Sequence, residues 1–407
     1  MSPTNGHHDD QTKSRDEQVN QNPDDTTSLQ LRTLGSISEI DGHRWDELAT
    51  SLSPYNPLIS HCFLQILEES GSVKRETGWM PHHLLLEKNN EIIGLAPAYL
   101  KGHSQGEYVF DHHWADAYER AGGRYFPKLV IASPFSPVPG PRLLCADAAL
   151  YPLFGQAIAQ LTDKLQLSSA HINFILSQEQ DALADVGFLP RLGEQFHWKN
   201  KNYQNFDEFL AELSSRKRKT IRAERRKANA GGIRVQNYRG NEISPEYWDK
   251  FWIFYQDTGA RKWGSPYLTR ECFTLMSERM GEDLLMTLAF EPDNPDPIAA
   301  ALHLIGGDTL YGRYWGCAHQ AKFLHFECCY YQAIDFAIEN GLARVEAGAQ
   351  GHHKLARGYE PVATYSAHFI PNPSFKDAIE NYLDHERRHT EQEIGALKNF
   401  TPFKKGP

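Results

Sequence analysis

The 407-residue sequence contains no long apolar run that would cross a membrane. Its hydrophobic stretches all fall short of the roughly 18 consecutive apolar residues that mark a membrane helix. The N-terminal residues also lack the apolar core of a secretory signal peptide. These absences predict a cytoplasmic protein without a membrane span.

Cysteine is scarce and irregularly spaced. The six cysteines form no CxxC pair and no repeating pattern, which argues against a disulfide framework and against a zinc site. The sequence also lacks a Gly-x-Ser-x-Gly turn, a P-loop and a zincin helix, so hydrolase and NTPase functions are poorly supported. We expect neither a bound metal ion nor a permanently bound cofactor.

Positive charge is in deficit, because 42 Lys and Arg stand against 52 Asp and Glu for a net charge of −10. This balance argues against a protein that coats nucleic acid or membranes, so any anionic partner must meet a local basic patch. Residues 1–30 are polar with almost no large apolar side chain, a composition that predicts a disordered tail.

The same plan occurs twice after this tail. Gly187-Phe188-Leu189-Pro190 is followed by His197-Trp198, and Gly358-Tyr359-Glu360-Pro361 is followed by His368-Phe369 at the same spacing. Weaker similarities occur in the same order along each half. Trp45-Asp46 corresponds to Trp248-Asp249, and the helical stretch around Phe63 corresponds to the one around Phe273. The repeat predicts two similar domains at 31–200 and 201–375, followed by a C-terminal helix and tail at 376–407.

Hydrophobic periodicity and turn signals predict a mixture of strands and helices in each domain. For the second domain they predict helices at 245–257, 269–280 and 327–340, and strands at 284–290, 298–305, 309–315, 344–347 and 364–370. An early hairpin and a late crossover helix indicate an α/β sheet flanked by helices.

Four segments resemble the Fem type of aminoacyl transferase in the GNAT superfamily. They are the basic helix at 214–228, the strand and helix tracts at 310–316 and 330–337, and the loop His353-Lys354-Leu355-Ala356-Arg357-Gly358-Tyr359. The resemblance covers nearly all of the chain after the tail, and the tract 259–264 is similar to an uncharacterised Fem-like branch. It implies tandem GNAT-like domains and an acyltransferase, since Fem-type enzymes add amino acids to peptidoglycan precursors.

The identity of the acyl donor stays open at this point. The Gln/Arg-x-x-Gly-x-Gly/Ala loop with which GNAT enzymes bind the pyrophosphate of coenzyme A is not evident before Glu327. Either acetyl-CoA or aminoacyl-tRNA remains as donor, and the acceptor is an amine on a small molecule or a precursor. The sequence does not indicate an oligomeric state.

A strongly basic helix is the first candidate for ligand binding. Eight of the twelve residues from Arg216 to Lys227 are basic. Arg218, Arg222 and Arg225 recur at helical spacing, so one face is expected to present guanidinium groups to the phosphates of a tRNA, a nucleotide-linked precursor or a coenzyme. The alternative is a solvated helix that contacts acids elsewhere in the protein.

The late loop is the second candidate. Lys354 matches the late-loop lysine of the Fem family, which by resemblance helps to position the acyl donor. His352, His353 and Arg357 are its neighbours, and loops at strand ends often carry functional residues. The alternative is an ordinary surface turn.

Two acids in apolar surroundings, Glu346 and Glu327, are candidates for the general base. Burial raises the pKa of a carboxyl group, which suits it to deprotonate an amine near neutral pH. Alternatively, Glu327 is a first-turn acid favoured by the helix dipole, and Glu346 pairs with Arg313, itself a candidate for substrate binding.

Two further segments combine aromatic and charged residues. Arg261, Lys262 and Trp263 follow a predicted helix and would either grip an anionic group or fasten the loop to the body. In the first domain, the tract containing Asp111 and Trp114 is a candidate acceptor groove. On a strand, the adjacent His112 and His113 would point to opposite faces, which argues against a shared metal ion.

The reaction predicted is direct acyl transfer to an amine without a covalent enzyme intermediate. Backbone N–H groups in a gap between central strands would stabilise the oxyanion, and positioning would supply most of the rate. The alternatives are an acetyl-CoA-dependent N-acetyltransferase for a small amine, and a non-catalytic binder of an anionic ligand.

Overall fold

Two similar successions of strands and helices follow each other along the chain. The computed structural model describes residues 29–263, 266–348 and 351–404, apart from the side chains of residues 261–263. Most of the predicted tail lies outside the described residues, so that prediction stays untested, as do the domain boundaries.

The strands are β1 Leu29–Leu34, β2 Trp79–Pro81, β3 His83–Lys88, β4 Glu91–Ala96, β5 Ala98–Lys101, β6 Lys128–Ile131, β7 Leu144–Cys145, β8 Ala170–Ile175, β9 Leu189–Lys199, β10 Arg234–Arg239, β11 Leu284–Phe290, β12 Pro297–Ile305, β13 Thr309–Cys317, β14 Arg344–Glu346 and β15 Glu360–Phe369. The α-helices are α1 Gly42–Thr50, α2 His61–Glu69, α3 His112–Arg120, α4 Tyr151–Lys164, α5 Ser177–Ala184, α6 Phe206–Glu212, α7 Ser215–Ala228, α8 Pro245–Trp263, α9 Arg270–Arg279, α10 Leu324–Phe326, α11 Gln332–Glu339 and α12 Pro373–Lys398. A π-helical turn, Glu327–Tyr331, joins α10 to α11.

The strands form two sheets. The smaller has the order β1-β3-β4-β7, and the larger has the order β10-β11-β12-β13-β14-β9-β15-β8-β6-β5-β2. The predicted second-domain strands agree with β11 to β15 to within a few residues, because each combines a buried apolar run with a clear turn signal. The α/β class and the tandem GNAT-like architecture are confirmed.

The two halves exchange their last long strands. β9 of the first half pairs with β14 of the second, and β15 of the second half pairs with β8 of the first. β9 and β15 also pair with each other, antiparallel, so that His197 faces Glu360 and Leu189 faces His368. In the sequence repeat, His197 is equivalent to His368 and Leu189 to Glu360, so the second contact is the first with the two halves interchanged. The repeat therefore corresponds to an approximate two-fold relationship within one continuous sheet.

The halves also share a hydrophobic core. One cluster of buried side chains contains Phe63 of α2 and Phe273 of α9, the two positions that echo each other in sequence. Among the described residues, no helix combines the length and the apolar character needed to span a bilayer.

Candidate active site

Strands β13 and β14 separate soon after they meet. They pair in parallel through three residue pairs, Thr309–Tyr311 with Arg344–Glu346. β14 then ends, while β13 continues to Cys317. A cavity of about 480 Å³ opens beyond the last pair, lined by Gly312 to Trp315 on one side and by Ala347 and Gly348 on the other. We call this space the gap cavity.

A β-bulge directs Arg313 at the gap cavity. Leu302 pairs with Tyr314 and His303 with Gly312, so Arg313 is the extra residue of β13. Bulges commonly re-aim a side chain next to an active site. The Arg313 guanidinium donates to the carbonyl oxygen of Phe135 in the first half and makes no ion pair within the described residues.

Aromatic side chains supply much of the wall. Tyr255 packs edge-on against Tyr314, with ring centroids 5.2 Å apart, and Tyr267 stacks on Phe135 at 5.0 Å. The described lining residues come from both halves and include no carboxylate: Tyr108, Pro137, Tyr255, Thr258, Gly259, Pro266, Tyr267, Ala301, Leu302, His303, Gly312, Arg313, Tyr314, Trp315, His325, Cys329, Tyr330, Ala347, Gly348, Gly351 and His353. Such a wall keeps water out and strengthens electrostatic interactions inside the cavity.

Two histidines in this wall are biased toward the neutral form. Burial lowers the pKa of His303 to about 4. Apart from a weak interaction with the backbone of Cys328, neither ring nitrogen of His303 has a partner within the described residues. His353 shares a hydrogen bond of 2.9 Å with the hydroxyl of Tyr330 and stacks on Phe326. Tyr330 belongs to the π-helical turn, a feature often found at functional sites.

Lys354 supports the gap cavity from behind. Its side chain is buried, and Nζ donates to the carbonyl oxygen of Gly348 at 2.8 Å. Burial lowers the pKa of Lys354 to about 8. The lysine therefore holds the backbone that lines the cavity, while the donor-positioning role implied by the Fem resemblance stays a prediction.

Glu346 lies at the boundary between the gap cavity and a second one. Its backbone leads directly into Ala347 and Gly348, but its side chain lines a space of about 390 Å³ at the junction of the two halves, which we call the seam cavity. Glu346 Oε1 is 3.4 Å from Arg344 Nε and 3.8 Å from His197 Nδ1. Burial raises the pKa of Glu346 to about 7 against the opposing effect of Arg344. The sequence suggested Arg313 as the ion-pair partner of Glu346, whereas the structure shows Arg344 as that partner.

Glu327 lies in a closed network. It accepts hydrogen bonds from Arg225 at 2.8 Å and from Gln332 at 2.9 Å, and Arg225 also binds Asp335 at 2.7 Å. Glu327 lines neither cavity. The structure therefore places Glu327 as the partner of the half-buried Arg225, and its role as a general base stays a prediction.

The predicted basic face of α7 is turned toward the protein. Arg218 donates to the carbonyl oxygen of Leu213, Arg222 pairs with Asp207, and Arg225 occupies the network of Glu327. The three arginines thus contact groups of the protein itself, as the alternative interpretation of the basic helix predicts. The other five cations of α7 make no ion pair within the described residues. Lys227 lies over the ring of Phe323, which leaves Arg216, Lys217, Lys219 and Arg226.

The late loop is likewise tied to α7. Arg357 pairs with Glu224 at 2.9 Å and lies over the ring of Phe326, 3.4 Å from its centroid. His352 is exposed, with Nε2 3.9 Å from carboxylate oxygens of Glu194 and Glu393. Arg357 is therefore held by groups of the protein itself. Of His352, His353 and Arg357, which the sequence suggested as ligand contacts, His353 lines the gap cavity.

Asp111 and Trp114 of the expected acceptor groove are buried in the first half. His112 and His113 begin α3 and do not lie on a strand, with Asp111 as the residue before the helix. Asp111 is buried against Lys128 and accepts a hydrogen bond from Tyr125 at 2.7 Å. Trp114 is buried edge-on against His368. These two side chains join elements of the fold, and a role of the tract in acceptor binding stays a prediction. The side chains of Arg261, Lys262 and Trp263 lie outside the described residues.

Several residues of the two cavities were not found from the sequence. These residues come from distant parts of the chain. They are the aromatic wall and His303 in the gap cavity, and Asn56 with the two neighbours of Glu346, Arg344 and His197, in the seam cavity. The repeat singled out His197, but no sequence signal placed it beside Glu346.

Comparisons with known proteins agree with this geometry. The model of the FemAB-like family, described as peptidoglycan biosynthesis/recognition, matches residues 36–405. No curated protein matches the sequence.

Three solved structures are similar at low identity, and the first two share the fold. FemX is 14% identical with a TM-score of 0.51, covering 84% of this chain and 98% of its own. The C-terminal domain of a putative lysylphosphatidylglycerol synthetase from Agrobacterium fabrum is 10% identical with a TM-score of 0.50, covering 86% and 97%. L-PGS from Bacillus licheniformis is 11% identical with a TM-score of 0.49, covering 81% and 98%. The family match spans most of the sequence, so the chain belongs to the FemAB-like family and is an acyltransferase with tandem GNAT-like domains.

Proposed function

We propose that the protein transfers an aminoacyl group from an ester-linked donor to an amine, with the acyl end of the donor in the gap cavity. The observation that carries this proposal is the divergence of β13 from β14 after three residue pairs, which opens about 480 Å³ next to Glu346. A cavity between separating strands admits a carbonyl group alongside free backbone N–H groups, which suit a developing oxyanion.

The second half is the better candidate for the reacting domain. In the first half, β6 and β8 also pair in parallel, but the proline-rich segment that follows β6 packs over their ends, and Gly140 N–H donates to the carbonyl oxygen of Phe174. Arg142 at the end of this segment is fully buried and donates to the carbonyl oxygen of Val138. The chain itself thus fills the corresponding position.

The chemistry needs one proton acceptor. The amine nitrogen attacks the carbonyl carbon of the ester, the C–O bond breaks, and the departing oxygen takes up a proton. Glu346 receives the proton that the amine loses and returns it to the departing oxygen, because a carboxyl group with a pKa of about 7 is half ionised at neutral pH. No covalent bond to the enzyme is needed.

The donor that we propose is an aminoacyl-tRNA. Residues 318–323, between β13 and α10, contain no glycine, whereas a pyrophosphate cradle depends on close approach of backbone N–H groups. The cations of α7 without ion pairs, Arg216, Lys217, Lys219 and Arg226, offer a surface for tRNA phosphates. A cytoplasmic location, where charged tRNA is available, fits this proposal.

The test is a transfer assay with purified protein, comparing charged tRNA with acetyl-CoA as donor and a panel of amines as acceptors. Mass spectrometry identifies the product. Ala347→Phe fills the gap cavity and is expected to abolish transfer, while Ala343→Phe, on an exposed residue just before β14, is the matched control. Transfer from acetyl-CoA alone would replace the tRNA proposal with an N-acetyltransferase, and equal activity of both variants would contradict the site.

A further inference from the structure

Three residues that line the seam cavity carry a buried polar atom without a hydrogen-bond partner in the described structure: Glu346 Oε2, Asn56 Nδ2 and Arg344 Nε, of which Arg344 Nε still lies 3.4 Å from Glu346 Oε1. Glu346 Oε2 and Asn56 Nδ2 both belong to residues that are at most 5% exposed, and both residues line the cavity. Buried polar atoms are normally paired, and an unpaired one typically costs about 1–3 kcal/mol. Glu346 comes from the second half and Asn56 from the first, so the two atoms converge on a space that neither half forms alone.

The known partners of Glu346 act at one side of its carboxylate, while Oε2 has none. Arg344 is shared between Asp308 and Glu346, with both N–O distances 3.4 Å. Arg142 and Arg313 also act electrostatically on Glu346, and Arg142 is in turn balanced by Glu179. No lysine lines the cavity among the described residues. A bound cation would therefore meet Glu346 at Oε2.

His197 does not supply that cation. The carbonyl oxygen of Pro137 accepts from Gln195 Nε2 at 2.7 Å, so Gln195 presents its amide oxygen to His197 Nε2 at 3.0 Å. Nε2 must then carry the ring proton, and Nδ1, which faces Glu346, has a lone pair. Burial lowers the pKa of His197 to about 3, so the ring is neutral at pH 7.

The remaining surface is uncharged and mixed, with apolar residues such as Ile175 and Val362 beside polar ones. Ser53, Ser177 and Gln178 lie at the more open side of the cavity, together with the first turn of α5. These groups suit hydroxyl or amide oxygens of a ligand. The volume of about 390 Å³ is near the lower end of the range of roughly 300–1,000 Å³ for ligand cavities. A metal ion fits poorly, since one carboxylate oxygen lacks the convergent ligands that an ion requires.

We propose that the seam cavity binds the acceptor as a primary ammonium on a small, uncharged polar body, with the ammonium on Glu346 and an oxygen of the ligand on Asn56 Nδ2. This inference rests on the proposed function only where it identifies the ligand as the acceptor. The binding of an amine does not depend on that function. The bound ammonium lies next to the carboxylate that takes its proton, and Ala347 follows directly toward the gap cavity.

The experiment is calorimetric titration of the full chain with ethanolamine and serinol, each compared with its N-acetyl derivative. Both amines stay protonated between pH 6 and pH 8, so a change of affinity in that range reports on the protein. We expect the free amines to bind at least ten-fold more tightly than the blocked ones, with affinity rising from pH 6 to pH 8. Equal binding of blocked and free amines would overturn the inference.

Three variants locate the binding. Glu346→Gln is expected to weaken amine binding at least ten-fold and to remove its pH dependence, while Glu360→Gln, on β15 outside the cavity lining, leaves both unchanged. Asn56→Ser keeps an oxygen that can cap Leu58 N–H but removes the free donor, so we expect several-fold weaker binding. Unaltered binding in Glu346→Gln would place the amine elsewhere.

The same variants separate this inference from the proposed function. If the amines bind as expected but no donor transfers a group, the proposed function fails and the amine site stands. If transfer occurs and the acceptor KM is unchanged in Asn56→Ser and Glu346→Gln, the amine site fails and the function stands.

Discussion

His197 and His368 occupy equivalent positions in the repeat but face different partners. His197 Nδ1 lies 3.8 Å from a carboxylate oxygen of Glu346, whereas His368 Nδ1 lies 2.7 Å from Nδ1 of His171. Glu346 and His171 are the residues paired with these histidines on β14 and β8. The duplicated fold thus has a carboxyl group at this place in one half and an imidazole in the other. This asymmetry places the proposed general base, Glu346, in the second half.

Loss of the Glu346 carboxylate should impair transfer. In the wild type, we expect kcat/KM to rise with pH through about 7 as Glu346 ionises. Glu346→Gln should lower kcat/KM by about 100-fold or more and remove this rising limb. A pH–rate profile of both proteins is the measurement, and an unchanged rising limb in the variant would assign the ionisation to another group.

The same substitution should stabilise the folded state at high pH. The folded pKa of about 7 exceeds the ordinary value of 4.5, so the folded state binds the proton more tightly than the unfolded state does. The free energy of unfolding should therefore fall as pH rises from about 4.5 to 7 and then level off, by on the order of 2–3 kcal/mol. Glu346→Gln should remove this loss.

Urea denaturation at pH 5 and pH 8 measures the effect on stability. The variant should match or slightly trail the wild type at pH 5 and exceed it at pH 8. A variant that is less stable than the wild type at both pH values would contradict the burial-driven shift.

Arg225 should matter for stability more than for ligand binding. Arg225→Ala leaves the buried Glu327 without its cation, which we expect to cost about 2–4 kcal/mol. Arg222→Ala on the same helix removes an exposed pair with Asp207 and should cost less than about 1 kcal/mol.

Adding Glu327→Gln to Arg225→Ala should recover part of the loss, because it removes the uncompensated charge. Denaturant unfolding of the single and double variants provides the comparison. No recovery in the double variant would mean that packing of the arginine, and not its charge, dominates.

The surface cations of α7 should govern tRNA affinity. Arg216, Lys219 and Arg226 are exposed and make no ion pair within the described residues. Their joint replacement by Ala should leave unfolding nearly unchanged, weaken tRNA binding about ten-fold or more at low salt, and reduce the salt dependence of log K by about two units.

The control replaces three exposed cations on other helices, Arg120, Arg388 and Lys398. Filter binding over a range of salt concentrations gives both the affinity and its slope. Equal effects of the two triple variants would indicate non-specific attraction, contrary to the proposed surface.

Much of the fold was accessible from local sequence patterns. β11 and β12 have nearly continuous buried runs with marked ends, and the repeated Gly-x-x-Pro and His-aromatic pattern fell on the two strands that pair across the halves. The prediction of a strand at His112 and His113 was wrong, because these residues begin α3. A short aromatic-rich tract does not distinguish the apolar periodicity of a helix from that of a strand.

The candidate site was accessible only in part. Glu346 was selected because an acid within a buried strand is unusual, and the structure confirms its burial. Arg225 and Arg357 were selected for their charge, but partners more than a hundred positions away, Glu327 and Glu224, account for them. Charge is visible in a sequence, whereas its compensation depends on long-range packing.

The sequence by itself determined the duplication, the α/β class and the family, because these rest on periodicity and on matched segments along the chain. Only the tertiary structure decided which acids and bases are paired, that the last strands are exchanged, and that Glu346 lines one cavity while the next residue, Ala347, lines the other. The physical reason is that local propensity acts over a few residues. The ionisation and accessibility of a side chain are set by neighbours that folding brings from elsewhere.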